Sequence, residues 1–507
     1  MSSDNEMKKN LSVCLIVKNE EQYLFNCLSS VKDIADEIIL VDTGSTDSSI
    51  EIAGKFTAKV YNFEWVNDFS AARNYAISKA EGEWILYLDA DERISPESLK
   101  ELSEIAKTES KTGYFCTVKS IDNENNRDNS MRYIRLFRNL PSIAFQGKVH
   151  EQISGSLLNN GYALKNSDIL ILHLGYDISS EDKKAKAERN LTLLLAEYAD
   201  SKTGYYAFQL ASTYAILGED EKSHLYYKVA VGSKDLSVPL KAEAYTNIAL
   251  YWHKLFNPAL ALEFAQQSLS LNRNQPFTLF LISKIYFQAG EKLKAEEFCR
   301  KALTTNRNVI KESSKAELQV YLEEEEILYY GINLALLYGT KANYAFYAEE
   351  LKKLLNSKEG KKGDNFVTCI TKLLSKQKVT GEEANELISL LNKYSAEFIF
   401  SVIDSSVASF SPEFFMELSK KFENDLNVIK IRAKYYAGNN QIDKALDFLE
   451  ENLKIIEKDP AALLHLISYY LSAGKNSEGK KWLAYMGKQF ADMPKIKAIV
   501  ENLSQKI

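Results

Sequence analysis

Acidic side chains follow the end of an apolar run early in the chain. The segment Trp84–Leu88 reads WILYL, as a buried strand does, and Asp89 and Asp91 come directly after it. Carboxylate oxygens on a loop are the donors that hard divalent ions such as Mg²⁺ or Mn²⁺ bind, and such an ion in turn binds a diphosphate. The alternative is structural, because acids also cap helices and Pro96 begins a helical pattern here.

Strand and helix patterns alternate in the first part of the chain. Strand patterns cover Leu11–Val17, Ile38–Val41, Lys59–Tyr61 and Trp84–Leu88, and helix patterns cover Glu21–Val31 and Phe69–Lys79. This order predicts an α/β domain at residues 11–180, with a mostly parallel, Rossmann-like sheet and helices on both faces. Ligands bind at the carboxyl ends of such strands, so the polar residues after each strand should converge on one rim.

The chain beyond about residue 181 has helical periodicity and no evident strands. A small residue is followed by an aromatic after three positions, a break after seven, and small residues after twelve and nineteen. Two good matches are Ala211, Tyr214, Gly218, Ser223, Ala230 and Ser283, Tyr286, Gly290, Ala295, Ala302. Shorter matches are Ala433, Tyr436, Asn440, Ala445 and Ile467, Tyr470, Gly474, Gly479, and the match Ala249, Trp252, Phe256, Ala261, Ser268 fits less well at its break, Phe256. The spacing resembles that of tetratricopeptide repeats and predicts an all-α repeat domain at 181–507; the alternative is a generic helical domain.

Two segments fit these domains poorly. Residues 308–425 are helical in pattern but match the repeat weakly, which indicates divergent hairpins with an exposed loop at Ser357–Asp364. Residues 1–10 are polar and are predicted to be flexible. The basic KKAK at 183–186 reads as a solvated helix face.

Composition excludes several classes of protein. The 507 residues carry a net charge of -6, which disfavours a nucleic-acid binder held by phosphate contacts. Five scattered cysteines without a C-x-x-C pair predict reduced thiols in the cytoplasm, with no zinc motif. No apolar run reaches the length needed to span a bilayer, and the N-terminus lacks a signal-peptide core. A dinucleotide dehydrogenase is disfavoured because no G-x-G-x-x-G follows the first strand.

Four motifs in a fixed order favour a metal and diphosphate site at Asp89 and Asp91 over simple helix capping. They are K-N-E at 18–20, V-D-T-G-S-T-D at 41–47, D-F-S-A-A-R-N at 68–74 and W-I-L-Y-L-D-A-D-E at 84–92, followed by F-Q-G-K-V-H-E at 145–151 and H-L-G-Y at 173–176. Over residues 11–180 the chain resembles family 2 glycosyltransferases of the GT-A fold. With helical repeats behind this domain, it is most similar to bacterial peptide and protein glycosyltransferases, including those that modify bacteriocin cysteines or flagellin.

The resemblance implies a role for each matching position. Glu20, Asp42, Arg73 and Asp89 would contact the nucleoside, diphosphate or sugar of a UDP-sugar, UDP-GlcNAc or UDP-Glc being expected. Asp91 would bind Mn²⁺ or Mg²⁺, with His173 as a further contact to metal or diphosphate. Glu151 best matches the general base, with His150 beside it.

The resemblance also implies a reaction. The metal would neutralise the departing diphosphate, and a carboxylate would deprotonate the attacking hydroxyl, inverting the anomeric carbon. The expected acceptor is a Ser or Thr side chain of a protein or peptide, flagellin being one example, and Cys is less expected. The repeats would hold the acceptor or form a homodimer.

Other interpretations remain open. A transferase that builds cell-surface polysaccharide would share every catalytic motif, and a repeat scaffold with an inactive first domain is the non-enzymatic alternative. His150 serves either catalysis or structure, and His173 in ILILHLGY is typical of a buried histidine unless the resemblance applies. Arg135 and Arg138 are expected to be solvated strand residues, with phosphate contact as the less favoured alternative. Glu92 is expected to be solvated or to cap the next helix.

Overall fold

The chain forms two compact units. The computed structural model describes residues 9–120, 127–174, 180–311, 318–338, 340–359, 362–374, 377–391, 396–490 and 494–504. The first unit ends at Ile327 and the second begins at Leu328. The predicted domain boundary at residues 180 and 181 stays a prediction, and most of the segment predicted to be flexible, residues 1–8, lies outside the described residues.

The first unit contains one mixed β-sheet. Its strands are β1 Leu11–Val17, β2 Glu37–Asp42, β3 Lys59–Asn62, β4 Trp84–Leu88, β5 Glu92–Ile94, β6 Thr112–Ser120, β7 Arg127–Arg138, β8 Ala163–His173 and β9 Leu318–Leu322. The spatial order is β3-β2-β1-β4-β7-β6-β8-β5, and β9 also pairs with β7. The first four strands are parallel, as predicted, whereas β7 runs antiparallel to β4, β6 and β9. The α/β class is confirmed, but the sheet as a whole is mixed.

Helices cover both faces of the sheet because its central strands are apolar on both sides. The helices of this region are α1 Glu21–Val31, α2 Ser49–Gly54, α3 Phe69–Lys79, α4 Leu99–Ile105 and α5 Ser154–Asn159. Leu24 and Leu28 of α1 pack on one face with Val13, while Ala76 of α3 packs on the other with Cys14. Alternate residues of β1 therefore enter two separate cores, which fixes the strand register.

From residue 180 onward, the described segments are mostly helical, with β9 as their one strand. Their helices are α6 Ser180–Asp200, α7 Gly204–Ile216, α8 Asp220–Gly232, α9 Val238–Lys254, α10 Pro258–Leu271, α11 Pro276–Gln288, α12 Lys292–Lys311, α13 Glu324–Tyr338, α14 Lys341–Glu359, α15 Lys362–Leu374, α16 Gly381–Ser389, α17 Ala396–Ser405, α18 Pro412–Lys421, α19 Leu426–Gly438, α20 Ile442–Glu451, α21 Leu453–Ile456, α22 Pro460–Ser472, α23 Asn476–Gln489 and α24 Pro494–Ser504. Consecutive helices pack as hairpins, α7 with α8, α9 with α10 and α11 with α12.

The predicted breaks of the repeat are left-handed turns between paired helices. The backbone φ is +77° at Gly218, +55° at Phe256, +77° at Gly290, +58° at Asn440 and +75° at Gly474. Glycine adopts this conformation without steric conflict, and asparagine tolerates it better than most residues. Phe256, the least suitable of the five, occupies the repeat whose sequence fits least well at this position.

Two predictions about the helical part are wrong. The segment predicted as an exposed loop at Ser357–Asp364 belongs to helices α14 and α15, apart from residues 360 and 361, which lie outside the described residues. The expectation of no strand beyond residue 185 fails at β9. A strand of five residues, LQVYL, inside a helical region has no distinguishing period, so its pairing with β7 was not visible in the sequence.

Asn306 of α12 completes the hydrogen bonding of β9. Its side chain is fully buried, donates to the Leu322 carbonyl at 2.7 Å and accepts from the Leu322 amide at 2.9 Å. These bonds satisfy the backbone of β9 on the side that faces the helices. A buried amide side chain therefore fastens the helical hairpins to the sheet.

We expect Asn306→Leu to destabilise the first unit by about 2–4 kcal/mol, because two buried backbone groups of Leu322 lose their partners. Calorimetric melting measures the effect. Thr304→Ala on the exposed face of the same helix is the control, with a change within about 0.5 kcal/mol. Equal melting of the two variants would contradict the role given to Asn306.

Candidate active site

The loops after β1 and β2 are hydrogen-bonded to each other at the carboxyl edge of the sheet. The Thr46 amide donates to the Asn19 side chain at 2.8 Å, and the Glu20 amide donates to the Ser49 hydroxyl at 2.8 Å. Asn19 has a φ of +57°, which turns the chain out of β1. The K-N-E and V-D-T-G-S-T-D motifs therefore form one paired loop structure that places Glu20 on the rim.

Asp42 closes the second of these loops. Its carboxylate accepts hydrogen bonds from the amides of Gly44 and Ser45, each at 3.1 Å, and the residue is 5% exposed. Gly44 has a φ of +108°, a conformation that favours glycine. Asp42 thus lies on the rim as expected, but its carboxylate is hydrogen-bonded to the backbone of the turn that follows it, at Gly44 and Ser45.

Arg73 is the centre of a buried charge cluster. Its Nη2 donates to Asp89 Oδ1 at 2.6 Å and its Nε donates to Glu151 Oε1. The Arg73 side chain is 9% exposed and that of Glu151 is 11% exposed. The structure therefore brings together three residues from distant motifs. The Arg73 guanidinium joins Asp89, the residue after β4, to Glu151, the predicted base.

Arg135 extends this cluster, and sequence reasoning missed it. Its Nη2 donates to Glu92 Oε1 at 2.6 Å and lies 3.5 Å from Asp89 Oδ2. Glu92 is 1% exposed and accepts from the Asp89 amide at 2.9 Å, so the expectations of a solvated Glu92 and a solvated Arg135 are wrong. Arg138 is not a freely solvated residue either, because it pairs with Glu83.

The two guanidinium groups control the charge state of Asp89. Burial alone would raise its pKa, but the positive charges of Arg73 and Arg135 outweigh burial and hold the pKa of Asp89 well below its usual range. Both guanidinium carbons also lie over the Tyr87 ring, 4.9 Å and 4.4 Å from its centroid. Asp89 is thereby kept ionised, with 37% of its side chain exposed at the rim.

Helix α3 holds the loop that carries Glu151. The Phe69 amide donates to the Lys148 carbonyl at 2.8 Å, and the Ser70 hydroxyl donates to the Gly147 carbonyl at 2.6 Å. Asn74 exchanges two bonds with the backbone of Phe145, at 2.7 and 3.0 Å. The polar residues of D-F-S-A-A-R-N therefore act together to position F-Q-G-K-V-H-E.

The first helical hairpin packs on the other side of this loop. The Tyr205 hydroxyl accepts from the Gln152 side chain at 2.9 Å and donates to the His150 carbonyl at 3.4 Å. His150 has a φ of +54°, an unfavourable conformation for its side chain, and burial lowers its pKa. Val149 lies in an apolar cluster with Leu194 and Leu210 of α6 and α7. The helical region thus forms part of the support of the candidate site.

Asp91 and His173 form a second pair on the rim. His173 Nε2 lies 3.2 Å from Asp91 Oδ2, and its Nδ1 lies 3.1 Å from the Ser120 hydroxyl. Burial lowers the pKa of His173, but the bond to Asp91 outweighs burial and raises it. The glycine and tyrosine of the H-L-G-Y motif, residues 175 and 176, lie outside the described residues.

This pair fits a divalent cation as two neighbouring ligands. Adjacent donors around an ion with bonds of about 2.1 Å are about 3 Å apart, close to the observed separation. A hydrogen bond at the second ring nitrogen orients a metal-binding histidine, as Ser120 does here. No group of three or more His, Cys, Asp or Glu side chains suited to a metal occurs in the described part of the chain.

Glu20 lies close to these acids and carries a high pKa. Burial, and then the charge of Asp91, raises the pKa of Glu20 to about 7, while Lys186 of α6 acts in the opposite direction. The folded protein therefore holds a proton on Glu20 that the unfolded chain releases at a lower pH. Stability should fall as pH rises from about 4 to 7, through the interval between the two pKa values.

We expect Glu20→Gln to remove this penalty and to raise stability by about 1–3 kcal/mol at pH 8 but not at pH 4. Thermal melting of both proteins across this pH range measures the difference. The exposed Glu97→Gln serves as control. A stability difference that does not change with pH would be inconsistent with a raised pKa at Glu20.

None of the described helices is long and apolar enough to cross a bilayer. Residues 12–166 match the model of the family described as Glycosyl transferase family 2. The TPR repeat-containing protein Synpcc7942_0270 of Synechococcus elongatus is 39% identical over 39% of this chain and 50% of its own length. The SPbeta prophage-derived glycosyltransferase SunS of Bacillus subtilis is 32% identical over 43% of this chain and 52% of its own length. The chain thus spans about half the length of these curated relatives.

The solved structure of S. aureus TarS 1-349 in complex with UDP-GlcNAc is 17% identical and covers 53% of this chain and 92% of that chain. The TM-score of this comparison is 0.30. The matched residues hold β2 to β7, most of β1, the start of β8 and the rim motifs up to Glu151, whereas His173 and β9 lie outside the match. Paired helices follow them. Residues 12–166 are therefore similar to glycosyl transferase family 2, and a helical region of tetratricopeptide-like hairpins follows them.

Proposed function

We propose that the protein transfers a sugar from a UDP-sugar to a Ser or Thr side chain of a protein or peptide, with inversion at the anomeric carbon. The observation that carries this proposal is the Arg73 bridge between Asp89 and Glu151, which places a donor-side acid and a candidate base in one cluster within a family 2 domain. The UDP-sugar as donor follows from the family resemblance. UDP-GlcNAc and UDP-Glc are the donors to test first, and flagellin is one acceptor to test.

The rim supplies the contacts for a nucleotide sugar. Glu20 and the turn of Asp42 flank the space expected to hold the nucleoside, and Asp89 stays ionised to accept hydrogen bonds from sugar or ribose hydroxyls. Asp91 and His173 would hold Mn²⁺ or Mg²⁺. When bound, such an ion neutralises the negative charge that accumulates on the leaving diphosphate.

Glu151 is proposed to accept the proton of the acceptor hydroxyl. Only its Oε1 bonds to Arg73, and its Oε2 has no hydrogen-bond partner among the residues that the structure describes. The bond to Arg73 fixes the direction of the carboxylate, and a fixed carboxylate within reach of the hydroxyl is what general base catalysis requires. A cysteine thiol as acceptor would depend less on this group, since thiolate forms more readily near neutral pH.

The helical hairpins are proposed to hold the acceptor or to mediate homodimerisation. Helix α7 contacts the loop of Glu151 through Tyr205, so the hairpin side of the site lies next to the proposed base. An acceptor segment lying along the first hairpin would therefore reach this carboxylate directly. This arrangement favours a protein or peptide acceptor over a free polysaccharide chain.

We expect Asp91→Ala to abolish Mn²⁺-dependent hydrolysis of UDP-GlcNAc or UDP-Glc by the purified protein, because one of two proposed metal ligands is lost. Release of UDP with and without EDTA is the measurement. Asp33→Ala, which changes an exposed acid outside the site, should retain wild-type hydrolysis. Wild-type hydrolysis by Asp91→Ala would refute the metal assignment, and failure of the wild-type protein to bind UDP would favour the scaffold interpretation.

We expect Glu151→Gln to lower transfer by roughly 10²–10⁴-fold with little change in UDP affinity, because the amide keeps its place but accepts no proton. Mass spectrometry of co-expressed candidate acceptors gives the added mass and its site. His150→Gln is the companion variant, which separates a catalytic role of that histidine from a structural one. Near-normal transfer by Glu151→Gln would assign the base to another residue.

A further inference from the structure

Arg132 of β7 is a largely buried arginine with no partner among the residues that the structure describes. The residue is 7% exposed, and its Nε is buried with no hydrogen-bond partner. None of its nitrogens makes a hydrogen bond or ion pair with any residue that the structure describes. The two other buried arginines of this sheet region, Arg73 and Arg135, are both neutralised by carboxylates. Arg132 is therefore the exception among them.

A largely buried guanidinium without a neutralising partner destabilises the folded protein. Removal of a charge from water costs several kcal/mol, and proteins usually compensate it with an opposite charge or with hydrogen bonds. An arginine that serves only packing is easily replaced by an apolar side chain at no such cost. A buried arginine left without compensation indicates an anion that is bound during function.

Arg132 lies beside an opening in the sheet. On one side of β7, β4 pairs with residues 136–138 and β9 pairs with residues 127–131, so the described strands leave residues 132–135 unpaired on that side. β6 pairs with the opposite side of β7, with Thr117 opposite Arg132 and a register shift at Arg135. The opening begins where β4 ends, which is where Asp89 leaves the sheet.

The opening connects the donor side of the site with the helical region. Arg135, three positions along the strand and roughly 10 Å away, contacts Asp89 at 3.5 Å. The opposite border is β9, which comes from the helical part of the chain. A substrate group that reached Arg132 would thus lie between the proposed sugar donor and the hairpins.

We propose that Arg132 binds an anionic group, a phosphate or a carboxylate, of a substrate that occupies the opening between β4 and β9. This deepens the proposed function and rests on it, because the substrate is one of that transfer reaction. A guanidinium suits either group, since its parallel N–H bonds match two oxygens at once. The two sources are the diphosphate of the donor and an anionic group of the acceptor.

The test compares thermal melting of the full-length protein with Arg132→Met, alone and with inorganic phosphate or UDP at constant ionic strength. Arg132→Met should raise the Tm of the ligand-free protein by about 2 °C or more, because the unpaired charge is removed. The Tm increase that phosphate produces in the wild type should be lost. Arg132→Lys should keep only part of it, since the bidentate geometry is gone.

Arg138→Met is the matched control on the same strand. Arg138 pairs with Glu83 at 2.7 Å and donates to the Thr108 carbonyl at 2.8 Å, so its loss should lower the Tm and leave the phosphate effect intact. If the UDP effect also disappears in Arg132→Met, the anion is the diphosphate of the donor. If the UDP effect remains while the phosphate effect disappears, the anion belongs to the acceptor.

Two results would overturn the inference. A lower Tm for ligand-free Arg132→Met would show that Arg132 has a structural partner, as Arg138 has. Unchanged phosphate and UDP effects in Arg132→Met would show that no anion binds there. Neither measurement requires turnover, so a failure of the proposed transfer activity is distinguished from a failure of this site.

Discussion

A single buried guanidinium determines the arrangement of the candidate site. Arg73 extends from α3 to Asp89 after β4 and to Glu151 on a distant loop, so its charge joins three parts of the chain. Glu151, whose side chain is 11% exposed, depends on this partner, because an unpaired buried charge is strongly destabilising. Arg135 and Glu92 extend the same cluster beneath Asp89. The cluster of Arg73, Asp89, Glu151, Arg135 and Glu92 is therefore a set of mutually dependent charges, in which each side chain helps to position its neighbours.

Helix α7 of the helical region also supports the candidate site, because it contacts the loop that carries Glu151. The loop with Gly147, His150 and Glu151 lies between α3, which holds it by backbone hydrogen bonds, and α7, which contacts it through Tyr205. His150 keeps an unfavourable φ, and the Tyr205 hydroxyl donates to its carbonyl. The boundary between the compact units, after Ile327, places the first hairpins in the same unit as the sheet.

Local patterns in the sequence predicted much of the architecture. The apolar runs marked β1, β2 and β4 because central parallel strands are buried on both faces, and the repeat spacing marked turns such as Gly218 and Gly290 because each needs a left-handed residue. The convergence of the loops after β1 and β2 followed from the topology of such sheets.

Long-range features escaped the sequence analysis for physical reasons. Glu92 and Arg135 are polar residues that look solvated until the fold places them together, and nothing in their local spacing reveals the pairing. β9 is too short to show a period. It forms a strand because it pairs with an edge of β7, which is distant in the sequence. The antiparallel half of the sheet was missed for the same reason, because the direction of a strand depends on connections that periodicity does not encode.

The pairing of β7 with β9 also constrains how the chain is synthesised. Met131 pairs with Leu318, and all the helices from α6 to α12 lie between them. At ribosomal rates of about 5–20 residues per second, the edge of β7 waits about 10–40 s for its partner strand to emerge. An uncovered strand edge invites pairing with other nascent chains during that interval. The protein is thus most vulnerable to aggregation on the ribosome, before residue 322 has been translated.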